Sequence, residues 1–138
     1  MKTPKAQSVV AIMLVIAFLA LILRFAIEQV IKLNVSQNES LASAQLKLIA
    51  TALENYAKDN NGAYPVNLSV AINTQPPYLD KDYIALSPFK GYNYACSRLE
   101  PTGYSCEAVP LKCKVTGSLA YSISTGGAFV WEDCSRKE

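Results

Sequence analysis

From Lys5 to Asn61 the sequence contains neither glycine nor proline. No other feature constrains the fold as much, because both ordinary helix breakers are missing from more than a third of the chain. The pattern predicts a continuous helix from about Gln7 to Asn60, about 80 Å long at the usual rise per residue. Its character changes along the way. Val9–Leu23, VVAIMLVIAFLALIL, has no polar side chain, as lipid or close helix neighbours on all sides require. Arg24–Lys32 is mixed, and Asn34–Ser43 is polar and serine-rich, the expected place for a bend. From Leu41 apolar residues return at helical spacing, with Ala42, Leu46, Ile49, Leu53, Tyr56 and Ala57 forming one stripe. Lys47, Thr51, Glu54, Asn55 and Lys58 lie off it. Asn60-Asn61-Gly62 then offers a left-handed stop, and Pro65 prevents resumption.

The apolar run is a membrane segment by length. Ala6–Leu23 covers about 27 Å as helix, against a hydrocarbon core of about 30 Å. Leu21-Ile22-Leu23-Arg24-Phe25 contains no small-x-small cleavage pattern, so an anchor is expected in preference to a removed signal peptide. Lys2 and Lys5 precede the run, whereas Arg24 beside Glu28 follows it, which favours an N-inside orientation. Arg24 and Glu28 are one turn apart, as in a local surface ion pair. Two regions result: 1–33, the cytoplasmic start and membrane helix, and 34–138, an extracytoplasmic head that includes the second half of the long helix. The first carries a net charge of +3 and the second −1, so the head has no electrostatic footprint for nucleic acid.

The cysteines agree with export. Cys96, Cys106, Cys113 and Cys134 all lie in the last third; an even count in a small exported domain reads as two disulfides, with three possible pairings. After Gly91 the apolar period becomes two. Tyr92, Tyr94 and Cys96 alternate with polar or small residues, as do Tyr104, Cys106 and Ala108. Pairing position 96 with 106 brings 94 opposite 108, around a turn at Leu99–Gly103, and puts both apolar sets on one face. A Cys96–Cys106 cross-strand bond fits that register and is the preferred pairing, with Cys113–Cys134 as its complement. Leu119, Tyr121 and Ile123 form a third strand, Thr125-Gly126-Gly127 a turn, and Ala128–Trp131 a fourth strand. Residues 63–90 read as loop with a short helical turn near Leu68–Ile72. The fold class is α+β: a long N-terminal transmembrane and amphipathic helix packed against a small antiparallel sheet, with Leu46, Ile49, Leu53 and Tyr56 as its head-packing face.

Enzymatic chemistry is not expected. The chain has no histidine, and its acids form no recognisable catalytic pair. No cofactor and no metal site is expected; Asp80-Lys81-Asp82 lacks partner ligands and reads as a solvated turn. Of the eight tyrosines, Tyr92, Tyr94, Tyr104 and Tyr121 occupy inward strand positions and are core residues. For Tyr64, Tyr78 and Tyr83 core and recognition surface stand level.

An N-terminal membrane helix that becomes amphipathic, ends at Asn61-Gly62-Ala63-Tyr64-Pro65 and precedes a small sheet resembles the type IV pilin-like superfamily, above all the type II secretion pseudopilins. Ala44-Gln45-Leu46 through Leu53-Glu54-Asn55-Tyr56 carry the likeness. Tyr78–Asp82, Gly91–Tyr94, Tyr121–Ile123 and Gly126-Gly127 add to it. The chain departs from the family at its processing site. No glycine precedes Gly62 and no acid precedes Glu28, where the family has a glycine before phenylalanine and a glutamate as the fifth mature residue. The family's mid-helix proline is also missing. The resemblance implies a minor or atypical structural subunit of a pilus or pseudopilus, in a type II secretion or type IV pilus system. It would sit in the inner membrane as a single-pass protein. Its partners would be membrane lipid and other pilin-like subunits, through Val9, Ile12, Ile16, Leu19, Leu23, Arg24 and Glu28. The alternative is an anchored extracytoplasmic binding or sensor module that does not polymerise; a third reading is a small secreted disulfide-rich effector.

Overall fold

The computed structural model describes residues 4–136, and side chains from Ser8 onward. Lys2 lies outside the described residues, as do the side chains of Lys5 and Ala6. The elements run α1 (Pro4–Asp59), α2 (Leu68–Ile72), β1 (Tyr92–Glu100), β2 (Gly103–Pro110), β3 (Leu119–Ser124) and β4 (Ala128–Asp133), then a 3-10 turn over Cys134–Arg136. The fold is α+β. The chain divides into two compact units, Met1–Leu33 and Asn34–Glu138.

Among its described residues, the first unit is helix alone. With no neighbouring element in that unit to bury them, its large apolar side chains from Val9 to Phe25 are 50% to 71% exposed. The polar stretch Asn34–Ser43, expected to bend, is helical throughout. Propensity explains this, since serine and asparagine weaken a helix interior by only fractions of a kcal/mol where no proline or glycine intervenes. Asn61 (φ 55°) and Gly62 (φ 84°) end the helix in the left-handed region. There the Gly62 N–H donates to the Ala57 carbonyl at 2.7 Å, satisfying one of the last carbonyls.

In the second unit the four strands form an antiparallel meander in the order β1-β2-β3-β4. Cys96 pairs with Cys106 and Tyr94 with Ala108, the register expected from the alternation. One face of this sheet packs on α1. Tyr92, Tyr94, Tyr104, Ala108, Tyr121 and Ile123 share a buried cluster with Ala42, Leu46, Ile49, Ala50 and Leu53. The buried stripe on α1 is wider than its larger residues alone define, because Ala50 and Ala52 are also buried; small side chains let the sheet approach the helix. Close approach recurs at Gly117, where a Cβ would stand 2.1 Å from the Tyr92 hydroxyl.

Both disulfides join the expected partners, Cys96–Cys106 and Cys113–Cys134. The first staples β1 to β2; the second ties the β2–β3 connection to the turn after β4. Residues 63–90 wrap the remaining edge of the core. Asn67 caps α2 by accepting from the Val70 N–H, and Leu68, Ala71, Leu79 and Tyr83 are buried. The same segment covers the start of the outer edge of β1: Phe89 and Tyr92 exchange backbone hydrogen bonds of 2.8 and 3.1 Å, and the Tyr94 N–H donates to Ser87 Oγ at 2.7 Å.

Candidate functional site

Two surfaces have functional potential: the exposed apolar part of α1, and the polar seam that locks the rest of α1 into the head. Along the seam, polar side chains at the margins of the buried stripe reach several parts of the head. Asn38 Nδ2 donates to the Thr116 carbonyl at 2.9 Å, and Glu39 Oε1 accepts from the Ser118 N–H at 2.6 Å. Gln45 Oε1 accepts from the Tyr94 hydroxyl at 2.5 Å. Near the end of the helix Asp59 Oδ2 accepts from the Tyr78 hydroxyl at 2.6 Å.

Glu54 is the hub of this seam. Its Oε2 accepts from the Tyr64 hydroxyl at 3.1 Å. Its Oε1 accepts from the Tyr104 hydroxyl at 2.9 Å and from the Gly126 N–H at 2.8 Å. One carboxylate therefore joins the helix to the loop after it, to β2 and to the β3–β4 turn. Tyr64 and Tyr104 also meet edge-to-face, with ring centroids 5.2 Å apart. In sequence Glu54 lies off the apolar stripe, with no partner to be read for it. Only the coincidence of inward tyrosines on strands with a lone acid beside the stripe could have flagged it.

The buried tyrosines have a consequence at high pH. Burial, with Glu54 beside it, raises the Tyr104 hydroxyl far above its ordinary value near 10. Burial likewise raises Tyr92, with Glu39 adding to the effect, and pushes Tyr94 up to about 12. A raised pKa means the folded chain holds these protons more tightly than the unfolded chain does. Their stabilising contribution is therefore complete below about pH 10 and is lost as pH climbs through the folded values. Urea midpoints measured along a pH series should hold steady to about pH 9 and fall from about pH 10 upward.

Leu46, Ile49 and Leu53 are buried under the sheet, and Tyr56 is half-buried with its ring edge-on to Tyr78 at 5.6 Å. Tyr83 is buried, whereas Tyr64 and Tyr78 are half-buried. All three hydroxyls bind carboxylates, on Asp80, Glu54 and Asp59 respectively, so these rings support the fold. Val9, Ile12, Ile16, Leu19 and Leu23 are exposed on the one described helix long and apolar enough to cross a membrane. Arg24 and Glu28 approach to 3.9 Å with both side chains exposed, a pairing of small energetic weight. Cys113, Asp133 and Cys134 cluster closely enough to suggest a metal site, but both sulfurs are spent in the disulfide.

A groove of about 400 Å³ opens between α1 and the β3–β4 hairpin, lined by Lys47, Ala50, Thr51, Glu54, Ile123 and Phe129. Its carboxylate is already engaged by three donors, and the Lys47 ammonium lies 4.7 Å over the Phe129 ring.

No family model matches the chain, and no curated protein sequence does. Among solved structures it is similar to the crystal structure of the non-core minor pilin PilV of Neisseria meningitidis, with 18% identity, 67% of this chain and 83% of that chain covered, and a TM-score of 0.38.

Proposed function

We propose that this chain is a membrane-anchored, pilin-like structural subunit, a minor or atypical component of a pilus or pseudopilus of type II secretion or type IV pilus kind. The observation that carries this is the division of labour along one helix. α1 exposes its apolar side chains between Val9 and Phe25 and buries Leu46, Ile49 and Leu53 under its own sheet. A helix apolar on all sides is stable only in lipid or among other such helices, and nothing in its own unit covers it. The subunit sits N-inside in the inner membrane, with Asn34–Glu138 outside the cytoplasm, where two disulfides persist. Its work is done by shape and helix packing, with no reaction assigned to it.

The test is oxidative crosslinking of an Ile16→Cys variant in native membranes. The four native cysteines are paired with one another, so the new thiol reports on neighbouring helices. Dimers joined through position 16, or adducts to another subunit, are the expected result. Monomers alone would overturn the assembly and leave an anchored module that does not polymerise.

A further inference from the structure

The two edges of the sheet are treated differently. The first residues of the β1 edge, Tyr92 and Tyr94, are covered by Ser87–Phe89. The β4 edge has no such cover among the described residues, and its two central residues, Val130 and Trp131, are 60% and 62% exposed. An uncovered edge with a bare tryptophan is a template for another strand. Which backbone groups it offers follows from the register. Leu119 pairs with Asp133, and the Cys134 N–H donates to the Ser118 carbonyl at 2.9 Å. Position 118/134 is thus a hydrogen-bonded pair, and alternation makes 119/133, 121/131 and 123/129 the non-bonded pairs. The N–H and C=O groups of Phe129, Trp131 and Asp133 therefore point away from β3, toward the open edge.

We propose that the β4 edge pairs antiparallel with the same edge of a second copy of this chain, about a two-fold axis at Trp131. This proposal does not rest on the pilus reading. A two-fold centred on Trp131 engages all three outward-facing residues of each strand: 131 meets 131, and 129 meets 133 in both directions. A two-fold centred on Asp133 would set two carboxylates side by side, which like-charge repulsion disfavours. Centring on Phe129 would carry Trp131 and Asp133 past the end of the partner's strand.

The Trp131 register is also the one that satisfies charge. It brings Asp133 of each copy beside Phe129 of the other, on the face where the Lys47 ammonium stands 4.7 Å from that ring. Asp133 is anionic at neutral pH, its carboxylate bound by the Ser135 N–H at 2.9 Å. Two Lys47–Asp133 pairs thus flank a central pair of indoles, all self-complementary as a closed two-fold interface requires. On the opposite face Glu132 meets Val130, so no like charges are opposed.

Trp131 is the single tryptophan in the chain, which makes it the reporter. The full chain in detergent micelles is followed by tryptophan emission and by oligomer mass as chain concentration rises at a fixed detergent-to-chain ratio. A blue shift of the emission, in step with dimer formation, is expected. Association through the apolar helix alone would raise the mass without moving the emission, so the failure of this pairing is separable from the failure of the subunit reading. Lys47→Asp and Asp133→Lys, each alone, should weaken the emission-detected dimer about tenfold, and the double exchange should restore most of it. Circular dichroism confirms that each variant is folded. Emission independent of concentration would overturn the proposal. So would single variants that dimerise like the parent, or a double exchange no better than the singles.

Discussion

Glu54→Ala is expected to lower the unfolding free energy by about 4 kcal/mol, because hydrogen bonds to a charged acceptor are worth about 1.5–3 kcal/mol each and two buried or half-buried hydroxyls lose theirs together. Tyr104 is the costlier partner, being 1% exposed, since water cannot readily replace the carboxylate there. The Gly126 N–H is exposed, so solvent recovers most of that bond. Glu54→Gln keeps one acceptor oxygen but brings an amide group toward three donors, so it should recover only part of the loss. Tyr64→Phe alone should cost about 1 kcal/mol. Urea denaturation of each variant measures these differences. An alanine variant within about 1 kcal/mol of the parent would show that Glu54 is a passive surface acid rather than the hub of the seam.

Leu53→Ala is the second large effect, expected at about 3–4 kcal/mol in the same assay. Leu53 is 0% exposed and lies in the cluster that α1 shares with the sheet tyrosines. Rings held by hydroxyl bonds, such as Tyr94 to Gln45 and Tyr104 to Glu54, cannot slide inward to fill a cavity without giving those bonds up. The site should therefore relax poorly, which places the cost above the low end of the range for such truncations. Leu48→Ala is the control on the same helix: Leu48 is 44% exposed and should cost less than about 1 kcal/mol. Equal losses for the two would mean that α1 does not present the Leu46–Leu53 face to the sheet.

Much of the architecture was legible from local rules. The absence of glycine and proline between Pro4 and Gly62 dictates one long helix, and Asn61-Gly62 dictates its end, because those two residues tolerate the left-handed backbone that stops it. Period-two alternation through Tyr92-Tyr94-Cys96 and Tyr104-Cys106-Ala108 is sufficient to set the β1–β2 register, since a slip of one residue would turn every tyrosine to solvent. That register favours Cys96–Cys106 among the three possible pairings, with Cys113–Cys134 as its complement, and the structure joins those partners. The same rules overstate local weakness. The polar run Asn34–Ser43 invites a bend, yet it stays helical, and Asn38 and Glu39 within it bind the loop at Thr116–Ser118.

The polar seam was not legible, for a physical reason. Whether Glu54 faces water or two tyrosine hydroxyls depends on residues 10, 50 and 72 positions away, and no periodicity within the helix records them. The same holds for the contrast between the two sheet edges. Strand propensity treats β1 and β4 alike, but only the folding back of Ser87–Phe89 covers one and leaves Trp131 bare on the other. The sequence by itself determined what depends on neighbours a few residues apart: the length and end of the helix, its apolar half and the alternation of the strands. Tertiary structure alone decided which polar groups are bound and which edge is open, because those are set by distances between segments far apart in the chain.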